Sequence, residues 1–130
     1  MRGEPQPAYS TESDVTTTRA IYKIVPRQMW QAAKDEGRFD GAPVDIEDGY
    51  IHFSTAEQVA QTAALHFAGQ DELLLVAVDG AALGEALKYE PSRGGDLFPH
   101  LYGSLFLDKV IWEKDMPLGP DGKHSLPELG

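Results

Sequence analysis

The sequence predicts an α+β domain with a few strands and two main helices. Three observations point there. The chain has 130 residues, enough for one hydrophobic core. Its apolar positions alternate every second residue in some windows and recur every third or fourth in others, the periods of strands and helices. Residues 73–78, Leu-Leu-Leu-Val-Ala-Val, form an unbroken apolar run, the mark of a strand buried on both faces.

Taken in order, residues 1–19 read as a disordered tail. They hold Pro5, Pro7 and the run Thr16-Thr17-Thr18, and have almost nothing to bury. The domain is expected over residues 20–116. Ile21-Tyr22-Lys23-Ile24-Val25 alternates and is rich in β-formers, so it is a strand. Pro26 suits the first position of a helix, where a missing N–H costs nothing. Met29, Trp30 and Ala33 supply that helix with an apolar stripe, and Gly37 ends it. Asp45, Glu47 and Asp48 fall in a solvated turn closed by Gly49. Tyr50-Ile51-His52-Phe53-Ser54 is a short alternating strand. Overlapping capping boxes at Ser54 and Thr55 predict that a second helix starts there, with Val59, Ala63 and Phe67 inward. After the strand at residues 73–78, residues 86–90 alternate again. Residues 91–99 are read as a loop, and residues 105–113 give a last strand or two. From Pro117 onward three prolines and three glycines suggest a loose extension, residues 117–130.

Composition narrows the functional classes. Apolar residues are 42% and charged residues 25%, as in soluble globular domains. No apolar window is long enough to cross a membrane as a helix, and no secretory signal is visible. A cytoplasmic location is expected. The absence of cysteine removes disulfides, thiolate metal sites and cysteine nucleophiles. Eleven basic against twenty-one acidic residues give a net charge of −10, a field that repels nucleic-acid phosphates and anionic membranes. Dinucleotide, phosphate-loop, zinc-protease and nucleophile-elbow motifs are missing. The spacing of His52, His66, His100 and His124 does not build a metal site, so no metal is expected.

Two constellations remain. Strand alternation puts Ile51 and Phe53 toward the core and Tyr50, His52 and Ser54 on the other face. The plain alternative for Ser54 is a helix cap, and His66 reads as a structural residue at a helix C-terminus. The second constellation runs from Tyr89 to Gly103. Gly94 and Gly95 can turn backbone amides toward an anion, and Arg93 beside them carries a planar fork suited to phosphate or carboxylate. Glu90, His100 and Tyr102 add an acid, an imidazole and a phenol. The plain alternative is a surface loop with an Arg93–Glu90 or Arg93–Asp96 ion pair. His52, Arg93 and His100 are expected to border one cleft that takes a small anionic or nucleotide-like molecule. Ligand-binding candidates are His52, Ser54, Arg93, Gly94, Gly95 and Tyr102; the catalytic candidates are Glu90 and His100.

Ile21-Tyr22-Lys23-Ile24, Asp48-Gly49-Tyr50-Ile51-His52-Phe53-Ser54, Ser92-Arg93-Gly94-Gly95 and Phe98-Pro99-His100-Leu101-Tyr102 together resemble a bacterial family, domain of unknown function 952. The resemblance spans nearly all of residues 20–116. It implies a small split or curved sheet similar to the ADP-ribosyltransferase fold, which holds NAD in a central cleft. Transferases of that fold carry His, Gly and then Ser or Thr on one strand. His52 and Ser54 match the outer two positions, and Phe53 departs at the middle one. Glu90 matches the later transferase Glu by residue type alone. The resemblance thus makes NAD the cofactor implied by fold analogy, and NAD-related glycosyl transfer the chemistry. A non-catalytic sensor of a small molecule and a protein-interaction domain stand as alternatives, and whether the chain is an enzyme stays open.

Overall fold

The computed structural model describes residues 20–92 and 95–129. The expected tail at residues 1–19, and Arg93 and Gly94 of the expected site, lie outside them. The chain folds as a small mixed domain of antiparallel sheets and a few helices. Strand β1 (Ala20–Pro26) pairs along its length with β4 (Leu73–Asp79), from Ala20↔Asp79 to Pro26↔Leu73, and β8 (Val110–Asp115) takes the other edge of β4. The 73–78 run is therefore the central strand of a three-stranded sheet.

Its lack of alternation follows from what covers it. Leu74, Val76 and Val78 face one core, with Ile21, Val25, Trp30, Phe39, Ile51, Phe53, Leu101 and Leu105. Leu73, Leu75 and Ala77 face another, with Tyr22, Ile24, Val59, Ala63 and Met116. Both faces are dry, so both sets of side chains must be apolar. Residues 117–129, beyond the last strand, carry a bridge between Leu118 and His124 and set Leu126 and Leu129 against this second core.

Helix α1 (Arg27–Glu36) follows β1 directly; Pro26 is both the last strand residue and the helix N-cap, one position earlier than the sequence suggested. Gly37, at φ +84°, closes the helix by donating its N–H to Ala33 O at 2.9 Å. The two-residue strand β2 (Arg38–Phe39) then pairs with β7 (Leu105–Phe106). A third helix, the short α2 (Pro43–Asp48), occupies the segment expected to be a solvated turn. It leads into β3 (Ile51–His52), which joins β6 (Leu97–Leu101) and β5 (Leu87–Pro91) in a second three-stranded sheet of order β3-β6-β5. Part of the expected loop at residues 91–99 is thus strand. Pro99 sits within central strand β6 and offers its carbonyl to Phe53 N–H at 2.9 Å. Proline usually signals a loop or an edge because it cannot donate, but it can still accept.

The two sheets meet where Tyr22 and Ser54 exchange backbone hydrogen bonds of 2.8 Å each. This bridge uses Ser54 as strand, and the following helix α3 (Val59–His66) starts later than the capping boxes imply. Residues 55–58 form a turn in which Gln58 Oε1 accepts from Thr55 N–H at 3.0 Å. Because α3 ends at His66, Phe67 is half-buried and not in the core as expected, whereas Ile51, Phe53, Leu75, Val76 and Val78 are buried.

The double-sided burial of β4 makes a quantitative contrast with the edge of the same sheet. Leu75→Ala should lower the unfolding free energy by about 2–5 kcal/mol. Ile111→Ala, on the half-exposed edge strand β8, should change it by no more than about 0.5 kcal/mol. Urea unfolding of both variants checks this, and equal losses at the two positions would contradict the two-core reading.

Candidate functional site

The bridge between the sheets places the expected polar face of Tyr50, His52 and Ser54 beside β6, where His52 stands opposite His100 in the ladder. The two imidazoles meet edge to face, with ring centroids 5.4 Å apart. Tyr50 stacks on His100 at 4.2 Å and touches His52 at 4.7 Å. A cleft of about 490 Å³ opens at this junction. Its polar lining includes Lys23, His52, Ser54, Ser92 and His100, and Phe67 and Phe98 are among its apolar walls.

Each imidazole is held by a carboxylate. Asp45, expected in a solvated turn, is only 1% exposed. It is the third residue of α2, and its Oδ2 reaches back to accept from Ala42 N–H at 2.7 Å. Oδ1 accepts from His52 Nδ1–H at 2.6 Å and from His52 N–H at 3.2 Å. Lys23 Nζ completes the set, 3.1 Å from Oδ2, and donates also to His52 O at 3.0 Å. Gly41, at φ +122°, lets the chain pass against this group; a Cβ there would stand 2.9 Å from Asp45 Cβ. Burial pushes the Asp45 pKa up, but the His52 hydrogen bond, the Lys23 charge and the two backbone amides outweigh it and bring the value down to about 2. Lys23 responds in the opposite sense: burial lowers its pKa more than Asp45 restores it. The pair is therefore worth less to the fold than the Asp45 shift alone implies.

His100 is 3% exposed, and its Nδ1–H donates to Glu90 Oε1 at 2.8 Å. The same oxygen accepts from Tyr102 Oη–H at 2.8 Å. The His100 and Tyr102 hydrogen bonds hold the Glu90 carboxyl below its ordinary value, and Glu90 in turn pushes Tyr102 up to about 12. A carboxylate can only accept, so Nδ1 carries the proton and Nε2 presents a lone pair in the neutral ring. Nε2 has no hydrogen-bond partner among the described residues, and the buried polar atoms left unpaired are Trp30 Nε1 and Glu113 Oε2. His100 Nε2 is therefore open to the cleft that the residue lines.

His52 is arranged differently. Its Nε2 lies 3.0 Å from Asp48 Oδ2, so both ring nitrogens face carboxylates. Ser54 does not cap a helix: its hydroxyl is 2.8 Å from Thr62 Oγ1. Gly95, at φ +88°, donates its N–H to Ser92 O at 2.7 Å and closes the β5–β6 hairpin, which leaves that amide unavailable for an anion nest. Arg93 and Gly94 lie outside the described residues, but Ser92, which immediately precedes them, lines the cleft. The structure thus brings together His52, Ser54 and His100 on the cleft, with Glu90 and Tyr102 behind His100. Tyr50 joins them from the expected polar face, and Asp45, Asp48 and Lys23 complete the arrangement without having been singled out. The sequence did hold a sign of Asp45: Pro43, Asp45 and Gly49 have the spacing of a first helical residue, a third-position acid and a helix stop.

A sequence profile described as protein of unknown function (DUF952) matches residues 24–113. The chain belongs to this family. No curated protein matches this DUF952 chain. It is similar to protein CC0527 from Caulobacter crescentus, in a crystal structure with a TM-score of 0.80 and 51% identity that covers 82% of this chain and 94% of that one. A solution NMR structure of the same protein gives a TM-score of 0.74 at 51% identity, covering 81% of this chain and 90% of that one. Among the described residues of the DUF952 chain no helix is long and apolar enough to span a membrane.

The Asp45 shift sets the acid behaviour of the fold. A carboxyl whose folded pKa lies below its unfolded value adds stability above the unfolded value and loses it as pH falls through the folded one. From an ordinary 3.8 to about 2, the contribution is roughly 2 kcal/mol at most, complete above about pH 5 and lost progressively down to about pH 1. Asp45→Asn should therefore be much less stable than the parent near pH 7, with the gap narrowing toward pH 2. Denaturant unfolding at several pH values measures this, and a constant gap would reject the assignment.

Proposed function

We propose that this chain binds a small nucleotide-like molecule in the cleft between β1, β3, β6 and α3, with His100 as its proton-transfer group. One observation carries the reading. A buried imidazole is oriented through Nδ1 by an ionised Glu90, while its Nε2 is left open toward a cleft of ligand size. Phe67, Phe98 and Ile24 offer apolar walls for a base or nicotinamide ring, and the hydroxyl-bearing Ser54, Thr62 and Ser92 lie on the same cleft. Arg93, next in the chain after Ser92, is the candidate for an anionic end of the ligand. Within the described residues Lys23 and His52 are already faced by Asp45 and Asp48, so the charge argument for an anion rests on Arg93.

The ADP-ribosyltransferase-like assignment and NAD chemistry belong to this proposal. Glu90, which lies behind His100 and does not line the cleft, would then act by orienting His100 through Nδ1. A second reading, binding without turnover, is favoured by His52. Both of its nitrogens are engaged, so only one imidazole of the pair is open for acid–base work.

A thermal-shift screen of nucleosides, nucleotides, NAD, sugar phosphates and carboxylates tests the binding claim. A ligand at 100 times its Kd should add about 2.7 kcal/mol of stability. His100→Gln should bind that ligand more weakly, and no stabilisation by any nucleoside-containing compound would overturn the proposal. Chromatography of the incubated hit separates the two readings. If the hit is cleaved, His100→Gln should slow the reaction by about 10²–10⁴-fold. Unchanged hit after prolonged incubation supports the sensor.

A further inference from the structure

Tyr102 is exposed and stands behind His100, away from the lining of the cleft. It reaches the site through one oxygen atom. Glu90 Oε1 accepts from Tyr102 Oη–H and from His100 Nδ1–H, each at 2.8 Å. Glu90 lies opposite Phe98 in the β5–β6 ladder and is therefore diagonal to His100, within reach of a long side chain.

Glu90 alone is a loose anchor. Its side chain is 35% exposed on the edge strand β5, where a carboxylate on a flexible stem exchanges between a protein donor and water. A second donor removes that freedom, because one placement of the carboxylate satisfies both Tyr102 and His100. Tyr102 is itself held. Its backbone N–H donates to Ala86 O at 2.8 Å, and its ring centroid lies 5.1 Å from that of Tyr50, which stacks on His100. What this arrangement decides is the tautomer. The nitrogen that carries the proton is set by the hydrogen bond the ring makes, and an imidazole without an acceptor at Nδ1 is free to carry it on Nε2. That form would turn a donor, not a lone pair, toward the cleft. Neither ladder partner of His100 offers another acceptor: Lys88 only donates, and both nitrogens of His52 face carboxylates. We propose that Tyr102 is a positioning residue for the cleft, which through Glu90 sets which nitrogen of His100 faces the ligand. This inference rests on the reading of His100 as the proton-transfer group and places control of that group outside the cleft.

The test reads tautomers from two-bond ¹H–¹⁵N spectra of the ¹⁵N-labelled full chain at about pH 9, above the ordinary histidine range. His100→Gln identifies the His100 signals. The parent should be mainly Nδ1–H, and Tyr102→Phe should lower the ratio of Nδ1–H to Nε2–H roughly three- to tenfold. Glu90→Ala should lower it further, and adding Tyr102→Phe to Glu90→Ala should change nothing more. A parent ring that is mainly Nε2–H would overturn the proposal, as would an unchanged ratio in Tyr102→Phe. An equal effect of Tyr102→Phe with and without Glu90 would mean packing alone and would overturn it too. Should Tyr102→Phe fail to fold, the Tyr102 phenol gives a second reading. Glu90 pushes it up to about 12, so at about pH 11 it should stay protonated in the parent and ionise in Glu90→Ala. A phenol indifferent to Glu90 would break the link. No ligand enters these measurements, so their failure leaves nucleotide binding standing, and a cleft that takes no nucleoside leaves the tautomer result standing.

Discussion

One buried carboxylate organises this molecule's polar interior. Asp45 takes hydrogen bonds from the start of its own helix, from the backbone and ring of His52 on β3, and from Lys23 on β1. Three separate segments thus converge on two oxygen atoms. A buried ion pair is seldom a large net source of stability, because desolvation consumes much of the attraction. Its effect is on uniqueness. Any arrangement of β1, α2 and β3 that moved one partner away would leave a charge unpaired in a dry setting, at a cost of about 3–5 kcal/mol. Gly41 belongs to the same constraint, since its missing side chain is what lets the chain lie against Asp45.

The constraint continues into the cleft. Lys23 shares the β1 face of Ile21 and Val25, which is otherwise apolar, and its ammonium ends on Asp45 and on the carbonyl of His52. One residue away on the other face, Tyr22 makes the backbone bridge to Ser54. These adjacent contacts fix β3 against β1 from both sides of the strand. The pairing of His52 with His100 then sets the distance between the two imidazoles by ladder geometry and not by loop conformation. A site built on strands in this way holds its groups closely.

What could be read from the sequence was the part governed by short-range periodicity. Residues 73–78 announce a doubly covered strand because covering both faces demands apolar side chains at every position. The alternation of residues 50–54 likewise gives Ile51 and Phe53 to the core and His52 to the opposite face. The misreadings share a different cause. Asp45 looks solvated because Asp48 and Glu47 around it are, and its burial depends on Lys23 and His52, 22 and 7 residues distant. Pro99 reads as loop because its missing donor is a local property, whereas the use of its carbonyl by Phe53 is a tertiary one. Ser54 and Thr55 carry sound capping signals, yet the bridge to Tyr22 claims Ser54 for the sheet and delays the helix to Val59. In each case a long-range partner decided between local options of similar energy.

The same distinction bears on function. At the level of residue types, His52 and His100 look equivalent, two histidines on paired strands, each beside a carboxylate. Their surroundings separate them. His52, with 31% of its side chain exposed, has Asp45 at one nitrogen and Asp48 at the other, so it ties α2 to β3. His100 is more deeply buried, has one carboxylate partner and keeps one nitrogen open. Burial with a single oriented partner fixes tautomer and ring direction together, the condition a proton-transfer group needs. A group satisfied at both ends has no such freedom until Asp48, itself half-exposed, moves aside. The two histidines of the cleft are therefore held asymmetrically: the one on strand β3 is tied at both ring nitrogens, and the one on strand β6 at Nδ1 alone.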